Sequence, residues 1–266
     1  MKLAWLTDPH LNFLNPLTLE AFYQRVRDVN ADALLITGDI AEGDCIVGTL
    51  KDLYTAVDRP IYFVLGNHDY YQSSIASVRE KVRLMCEDVP GLTWLHECNV
   101  SLNDTTSLVG VDGWADAKLG APEKQRIGMA DWDLIKEYRV LGKWDHQARM
   151  QFAADTGRKE AYALRIHLNN AAEESSRILV ATHIPPFKEA TWHQGKHSDN
   201  DWLPWFSCQQ TGEVLADCAA HYPHVKFEVY CGHTHGEGVY QHSDNLIVHT
   251  GAARYGWPDV CRVIEV

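Results

Sequence analysis

Basic residues are scarce in this chain. Across 266 residues, 24 lysines and arginines stand against 36 aspartates and glutamates, for a formal net charge of −12. The lysines and arginines form no cluster along the sequence. A phosphate backbone is held by a basic patch, so nucleic acid is not an expected partner. Long apolar runs are also missing, and none approaches the ~20 residues of a membrane span. The apolar part of the opening "MKLAWLTDPH" is short and is broken by Asp8, unlike a secretory signal. No membrane partner is therefore expected. The seven cysteines (Cys45, Cys86, Cys98, Cys208, Cys218, Cys231 and Cys261) are odd in number, scattered, and form no C-x-x-C pair. This argues against a disulfide framework and predicts buried thiols in a reducing compartment, hence a cytoplasmic protein. Internal repeats, low-complexity tracts and long linkers are absent, so residues 1–266 read as one domain. A hydrophobic content of 45% and a charged content of 23% are ordinary for a globular chain with a sizeable core.

What is present is an alternation of short apolar runs and helical patterns. "LAWLT" (3–7), "ALLITG" (33–38), "IYFVLG" (61–66) and "SLVGVDG" (107–113) read as strands. "RILVATH" (177–183), "FEVYCGH" (227–233), "NLIVHTG" (245–251) and "VCRVIEV" (260–266) read the same way. Between the first runs, Leu19, Phe22, Val26 and Val29 recur at helical spacing. "SIASVREKVRLMCEDVPG" is a second amphipathic helix, with Ser73 or Ser74 as its cap. Residues 143–174 read as mainly helical, with Gly157 as a candidate break. Strand–helix–strand order early and strand-rich order late predict a layered α/β fold with mixed sheets.

The chemistry gathers where the strands stop. The first strand runs into Asp8 and His10, the second into Asp39 and Glu42, and the third into Asn67, His68 and Asp69. The strand at 177 ends on His183, and "FEVYCGHTH" ends on His233 and His235. Ligand sites of α/β sheets lie beyond the carboxyl ends of the strands. Taken singly, the pieces have ordinary readings: Asp-x-His and Gly-Asp are common turn chemistry, Asn67 can cap a turn, and His183 can be a satisfied core histidine. Propensity does not explain all five in this order, each at a strand end. Carboxylate, imidazole and amide groups on one sheet edge are a donor set for metal ions. Without cysteine among them, they suit manganese, iron, zinc or nickel rather than a structural zinc site.

The series D-x-H, G-D-x-x-E, G-N-H-D, H and G-H-T-H resembles that of the calcineurin-like metallophosphoesterases, over residues 8 to 235. The resemblance implies a four-layer β-sandwich of mixed sheets flanked by helices, with a two-metal centre at the strand ends. Carried over by position, Asp8, His10, Asp39 and His235 would hold one ion. Asp39, Asn67, His183 and His233 would hold the other, with Asp39 as the bridge. Such a pair of ions can share a hydroxide and clamp an in-line displacement at phosphorus. His68 resembles the family's non-ligand histidine, which stabilises the transition state or protonates the leaving oxygen. Asp69 or Glu42 would orient its ring. Two positions depart from the family pattern: Glu42 stands where an aspartate is common, and Thr182 rather than glycine precedes His183.

Two loops bear on the substrate. "GVDGWADAKLG" (110–120) follows one strand, and the long segment 184–206, rich in tryptophan and histidine, follows His183. The second reads as an active-site loop or as a surface loop pinned by its tryptophans. "MADWDLIKEYRV" (129–140) is a candidate further wall, with Arg126 or Arg139 as a phosphate anchor or as solvated charges. The expected function is a two-metal phosphoester hydrolase acting on a small soluble phosphodiester or phosphomonoester. The alternatives are a phosphoprotein phosphatase and a non-catalytic scaffold of the same fold.

Overall fold

The run Ala33–Thr37 is buried at every position, so both faces of the strand it forms must be covered. The computed structural model, which describes residues 1–124, 126–142 and 144–266, shows by what. The first half of the chain lays down β1 (Lys2–Leu6), α1 (Pro16–Asp28), β2 (Ala33–Thr37), α2 (Ile46–Val57), β3 (Ile61–Val64), α3 (Ile75–Asp88) and β4 (Leu92–Trp94). It continues with β5 (Val100–Asn103) and β6 (Thr106–Gly110), the short α4 (Asp131–Leu134) and α5 (Lys136–Arg139), and the long α6 (His146–Ala172). Then come β7 (Arg177–Ala181), β8 (Trp192–His193), β9 (Lys196–His197), α7 (Leu203–Phe206) and α8 (Gln209–His221). The chain closes with β10 (Lys226–Cys231), β11 (Gly238–Ser243), β12 (Leu246–Thr250) and β13 (Arg262–Glu265).

Two mixed sheets result, in the orders β13-β1-β2-β3-β4 and β11-β12-β10-β7-β6-β5. In each sheet the inner strands run parallel, and antiparallel strands close the edges at β13, β11 and β5. Side chains alternate between faces with period two. Leu34 and Ile36 of β2 pack with Phe22, Leu50 and Val78 of α1, α2 and α3, whereas Ala33 and Leu35 face the other sheet. Ile178 and Val180 of β7 meet Leu164 and Leu215 of α6 and α8, and Leu179 and Ala181 join Leu3, Trp5 and Tyr230 between the sheets. The stack is helix, sheet, sheet, helix, the four-layer α/β sandwich that the resemblance implies.

Local signals place the helices. The Asn15 side chain accepts from Thr18 N and Pro16 opens α1; Ser74, not Ser73, caps α3 by accepting from Ser77 N. Gly157 does not break α6. A Cβ there would lie 2.7 Å from Asp116 Cβ, so the glycine is where the helix presses on the 110–120 loop.

Candidate metal centre

All five parallel strands whose ends carry the candidate ligands (β1, β2, β3, β7 and β10) deliver them to the same edge of the sandwich. The turns that follow are unusual. Among the described residues, five of the nine non-glycine residues with positive φ are candidate ligands: Asp8 (47°), His10 (44°), Asp39 (54°), His233 (68°) and His235 (59°). Left-handed backbone is costly for such residues and persists only where the surroundings impose it. Here backbone bonds between loops do so: Asp8 N donates to Gly38 O, His10 N to Asp39 O, and Gly232 N to His183 O. Glycine is needed where these loops touch. A Cβ on Gly66 would sit 2.2 Å from Asp39 Oδ1, and one on Gly232 would sit 2.1 Å from Asp8 Oδ2.

The side chains form two groups. In the first, His235 Nε2 is 3.3 Å from Asp8 Oδ1 and 3.5 Å from His10 Nε2, and His10 Nε2 is 3.8 Å from Asp39 Oδ2. In the second, His183 Nε2 is 3.1 Å from Asn67 Oδ1, 3.4 Å from Asp39 Oδ1 and 3.2 Å from His233 Nδ1. Asp39 turns one oxygen to each group. The seven expected ligands are thus all brought together, in the two sets the resemblance implied.

The second group shows that a cation fits. His183 Nδ1 donates to Thr37 O and His233 Nε2 to Trp205 O, at 2.9 and 3.1 Å. Those carbonyls accept only, so the opposite ring nitrogens, His183 Nε2 and His233 Nδ1, are both lone pairs, and they face each other. The Asn67 amide nitrogen donates to Asp131 Oδ1 at 2.9 Å, which aims its oxygen at the same point. These three atoms and Asp39 Oδ1 converge on one spot. Proton affinities fit a place that calls for positive charge. Burial, then Asp8, holds the Asp39 carboxyl well above the usual range. Burial pushes His233 down to about 3 and His10 to about 4, leaving neutral imidazoles. Asp8 lies below the usual range although burial opposes this, because His235 hydrogen-bonds it and the nearby imidazoles attract its charge.

His68 enters the same space from β3. Its ring stacks on Tyr71 at 4.2 Å and meets His10 edge-on at 4.7 Å. Its Nε2 is 3.9 Å from Asp39 Oδ2, and its buried Nδ1 has no partner among the described residues. The expectation that Asp69 or Glu42 orients this ring is corrected. Asp69 Oδ1 accepts from Ile40 N and Ala41 N, and Oδ2 from Gly66 N, so its carboxylate ties the β2 and β3 loops together instead. Glu42 makes no bond to the ring either.

Residues that the sequence did not flag complete the surroundings. Asp131 bonds Asn67 and the Tyr71 hydroxyl, and Tyr255 stacks on His10 at 4.5 Å. Asp112 lies behind the centre, fully buried. Its carboxylate accepts from Leu65 N, Trp94 Nε1, the Tyr70 hydroxyl and Arg79, each at 2.8 Å, and its carbonyl accepts from His183 N. Burial alone would raise its pKa, but Arg79 and these donors hold it below the usual value. Removing one member of a buried ion pair is costly, so Asp112→Asn is expected to lower the unfolding free energy by about 3 kcal/mol. A urea titration with an unchanged midpoint would contradict that.

The 184–206 segment both packs on the core and borders a cavity. Trp205 is buried against Trp132 and pins the loop, while Trp202 and His193 line the cavity above the two groups. Met129 and Ala130 form part of the opposite wall. Arg126 pairs with Asp201, Arg139 is exposed, and neither lines the cavity.

The chain matches the family model described as calcineurin-like phosphoesterase over residues 1–237. No curated protein matches it. Among solved structures it is similar to phosphopantetheinyl hydrolase (PptH) from Mycobacterium tuberculosis, at 15% identity and a TM-score of 0.67, covering 97% of this chain and 94% of that one. It is similar also to a dimetal phosphatase from Danio rerio, at 15% identity and a TM-score of 0.59, covering 95% and 87%. A third is TT1561 of Thermus thermophilus, at 13% identity and a TM-score of 0.54, covering 94% and 88%. At such identities the likeness speaks for the fold. The family model adds the activity class, and the chain belongs to the calcineurin-like phosphoesterases, metal-dependent hydrolases of phosphoric esters.

Proposed function

We propose that residues 1–266 act as one unit holding two metal ions, and that it hydrolyses a small phosphodiester or phosphomonoester. The observation that carries this is the pair of convergent donor groups, with one Asp39 oxygen 3.8 Å from His10 Nε2 and the other 3.4 Å from His183 Nε2. Asp8, His10, Asp39 and His235 would hold one ion, and Asp39, Asn67, His183 and His233 the other. Their nitrogen and oxygen donors suit manganese, iron, zinc or nickel. When bound, the ions supply the positive charge that activates water and neutralises the phosphoryl oxygens.

The chain's own residues do the rest. Thr37 O and Trp205 O fix the tautomers of His183 and His233, and Asp131 fixes the Asn67 amide. His68 faces the reacting group from the cavity wall and supplies an N–H to the phosphoryl or leaving oxygen. Asp69 acts behind it by fixing the turn. The cavity over the two groups measures about 300 Å³ and, among the described residues, has no lysine or arginine in its lining. This size favours a small ester, as does a net charge of −12. A protein-binding scaffold would have no use for acceptor atoms crowded together in buried, left-handed turns.

The test is elemental analysis of the purified protein, with hydrolysis of bis(4-nitrophenyl) phosphate and 4-nitrophenyl phosphate after reconstitution with each metal. Two ions per chain and turnover of at least one ester are expected. No hydrolysis with manganese, iron, zinc or nickel would leave the scaffold reading in its place.

A further inference from the structure

The cavity over the metal centre is not the larger space on this face. A second cavity of about 550 Å³ adjoins it, and the two share His193, Trp202 and Phe206 in their linings. A ligand with its phosphoryl group at Asp39 and His183 would therefore run past these side chains, with most of its bulk in the second cavity.

The wall between the cavities is aromatic. The Phe206 ring lies 4.5 Å from that of His233, and Trp202 meets Phe206 edge-on at 5.2 Å. Trp202 is 41% exposed although it sits in a lined cavity, which leaves an indole face open to a flat group. Beyond it the polar lining includes Lys196, His197, Ser198 and Gln194, of which the lysine alone can only donate. Lys196 is exposed, and its ammonium forms no ion pair among the described residues. The one acid among the described residues of the lining, Asp199, turns Oδ1 back to the N–H groups of Asp201 and Trp202.

The hairpin that carries Lys196 and His197 is held in place. Lys196 lies on the hairpin of β8 and β9, whose turn residues Gln194 and Gly195 have φ of 48° and 74°, as a tight two-residue turn requires. His193 Nδ1 donates to Thr234 O of the G-H-T-H loop, at 2.9 Å. Trp192 backs the hairpin, packed on Gly236 so closely that a Cβ there would lie 2.3 Å from its carbonyl oxygen. The hairpin is thus fastened to the same loop that carries His233 and His235.

We propose that this second cavity is a specificity subsite: it takes a planar ring against Trp202 and Phe206 and a second anionic group at Lys196. The proposal rests on the phosphoesterase reading for the position of the scissile group. The substrate class is then a phosphoester whose leaving portion carries a ring and a further phosphate or carboxylate.

Adenosine 3′,5′-bisphosphate and adenosine 5′-monophosphate are suitable probes, because they differ by one anionic group. On the metal-reconstituted protein, kcat/KM is expected to be about tenfold higher for the bisphosphate, through a lower KM, as one charge-assisted hydrogen bond allows. In Lys196→Glu and Lys196→Ala the ratio of the two should fall to about one. Trp202→Ala should raise KM for both. A ratio unchanged by either Lys196 substitution overturns the subsite. Should the reconstituted protein hydrolyse no ester at all, the phosphoesterase reading fails, and calorimetric binding of the bisphosphate then reads the subsite by itself. Weakening of about tenfold in Lys196→Glu upholds it; equal affinity, or no binding by the wild type, overturns it.

Discussion

Asp39→Asn is expected to empty both metal sites together. The substitution keeps the shape of the side chain, and the amide oxygen can still accept from His68 N as Asp39 Oδ1 does at 2.9 Å. It removes the one negative charge that both groups share, and it replaces one of the two oxygens with an N–H donor aimed at lone pairs. Losing a mere hydrogen-bond partner of a metal ligand lowers affinity about 10–100-fold. Losing the shared ligand is expected to exceed that, with turnover falling by more than about 100-fold. Elemental analysis should find neither ion, whereas Asn67→Ala should deplete only the site of His183 and His233. Thermal unfolding in excess chelator should be close to that of the chelated wild type. Two tightly held ions per chain in the Asp39 variant would rule out the bridging assignment.

His68→Ala should do the opposite: keep the ions and lose the chemistry. Asn67 and His68 are neighbours on one turn, yet the Asn67 oxygen lies 3.1 Å from His183 Nε2, whereas the nearest carboxylate oxygen to His68 Nε2 is Asp39 Oδ2, at 3.9 Å. A positioned histidine contributes about 10²–10⁴-fold by proton transfer, and a loss of that size is expected with metal content unchanged. The dependence on leaving group separates its two roles. Nitrophenolate departs without a proton, so a general acid is nearly dispensable there and indispensable for an alkyl ester. A donor that stabilises charge on the phosphoryl oxygens matters equally for both. The surroundings favour the second role. Burial, then His10 and His183, push the His68 pKa down to about 2, so the ring is held as a neutral N–H donor. Equal defects for both esters are therefore expected. Metal loss as severe as in Asn67→Ala would show that the division of roles is wrong.

The strands that build the site were legible because both their faces are buried, which leaves unbroken apolar runs such as "ALLIT" and "ILVA". The polar residue after each run marked the site edge. α2 is faint in the sequence, although Ile46, Leu50, Leu53 and Val57 are all buried at helical spacing. Gly48 and the β-branched Val47, Thr49 and Thr55 lower its helix propensity, and Cys45 offers no side-chain cap bond. α8 was missed beside Gly212, a residue needed because a Cβ would sit 2.2 Å from Pro186 O. β5 and β11 are edge strands with alternating burial and little apolar signal. Asp131 and the Trp205 carbonyl act on Asn67 and His233 across 64 and 28 residues of chain, and no local pattern encodes such a contact. Asp69 shows the converse case: its place in the motif was plain, but its work on three backbone N–H groups was not.

Neither donor group belongs to a single sheet. Asp8, His10, Asp39 and Asn67 come from the sheet of β1, β2 and β3, whereas His183, His233 and His235 come from the sheet of β7 and β10. During synthesis the first sheet's share emerges well over a hundred residues before His183 does. Until His233 and His235 arrive, any cation meets an incomplete set of ligands and is held weakly. Tight capture waits for the two sheets to close on each other, and the bound ions then oppose their separation. On the proposed ligand assignment, metal loading in this chain would be an end-point of folding, and a nascent or partly unfolded copy would neither hoard metal nor cleave esters.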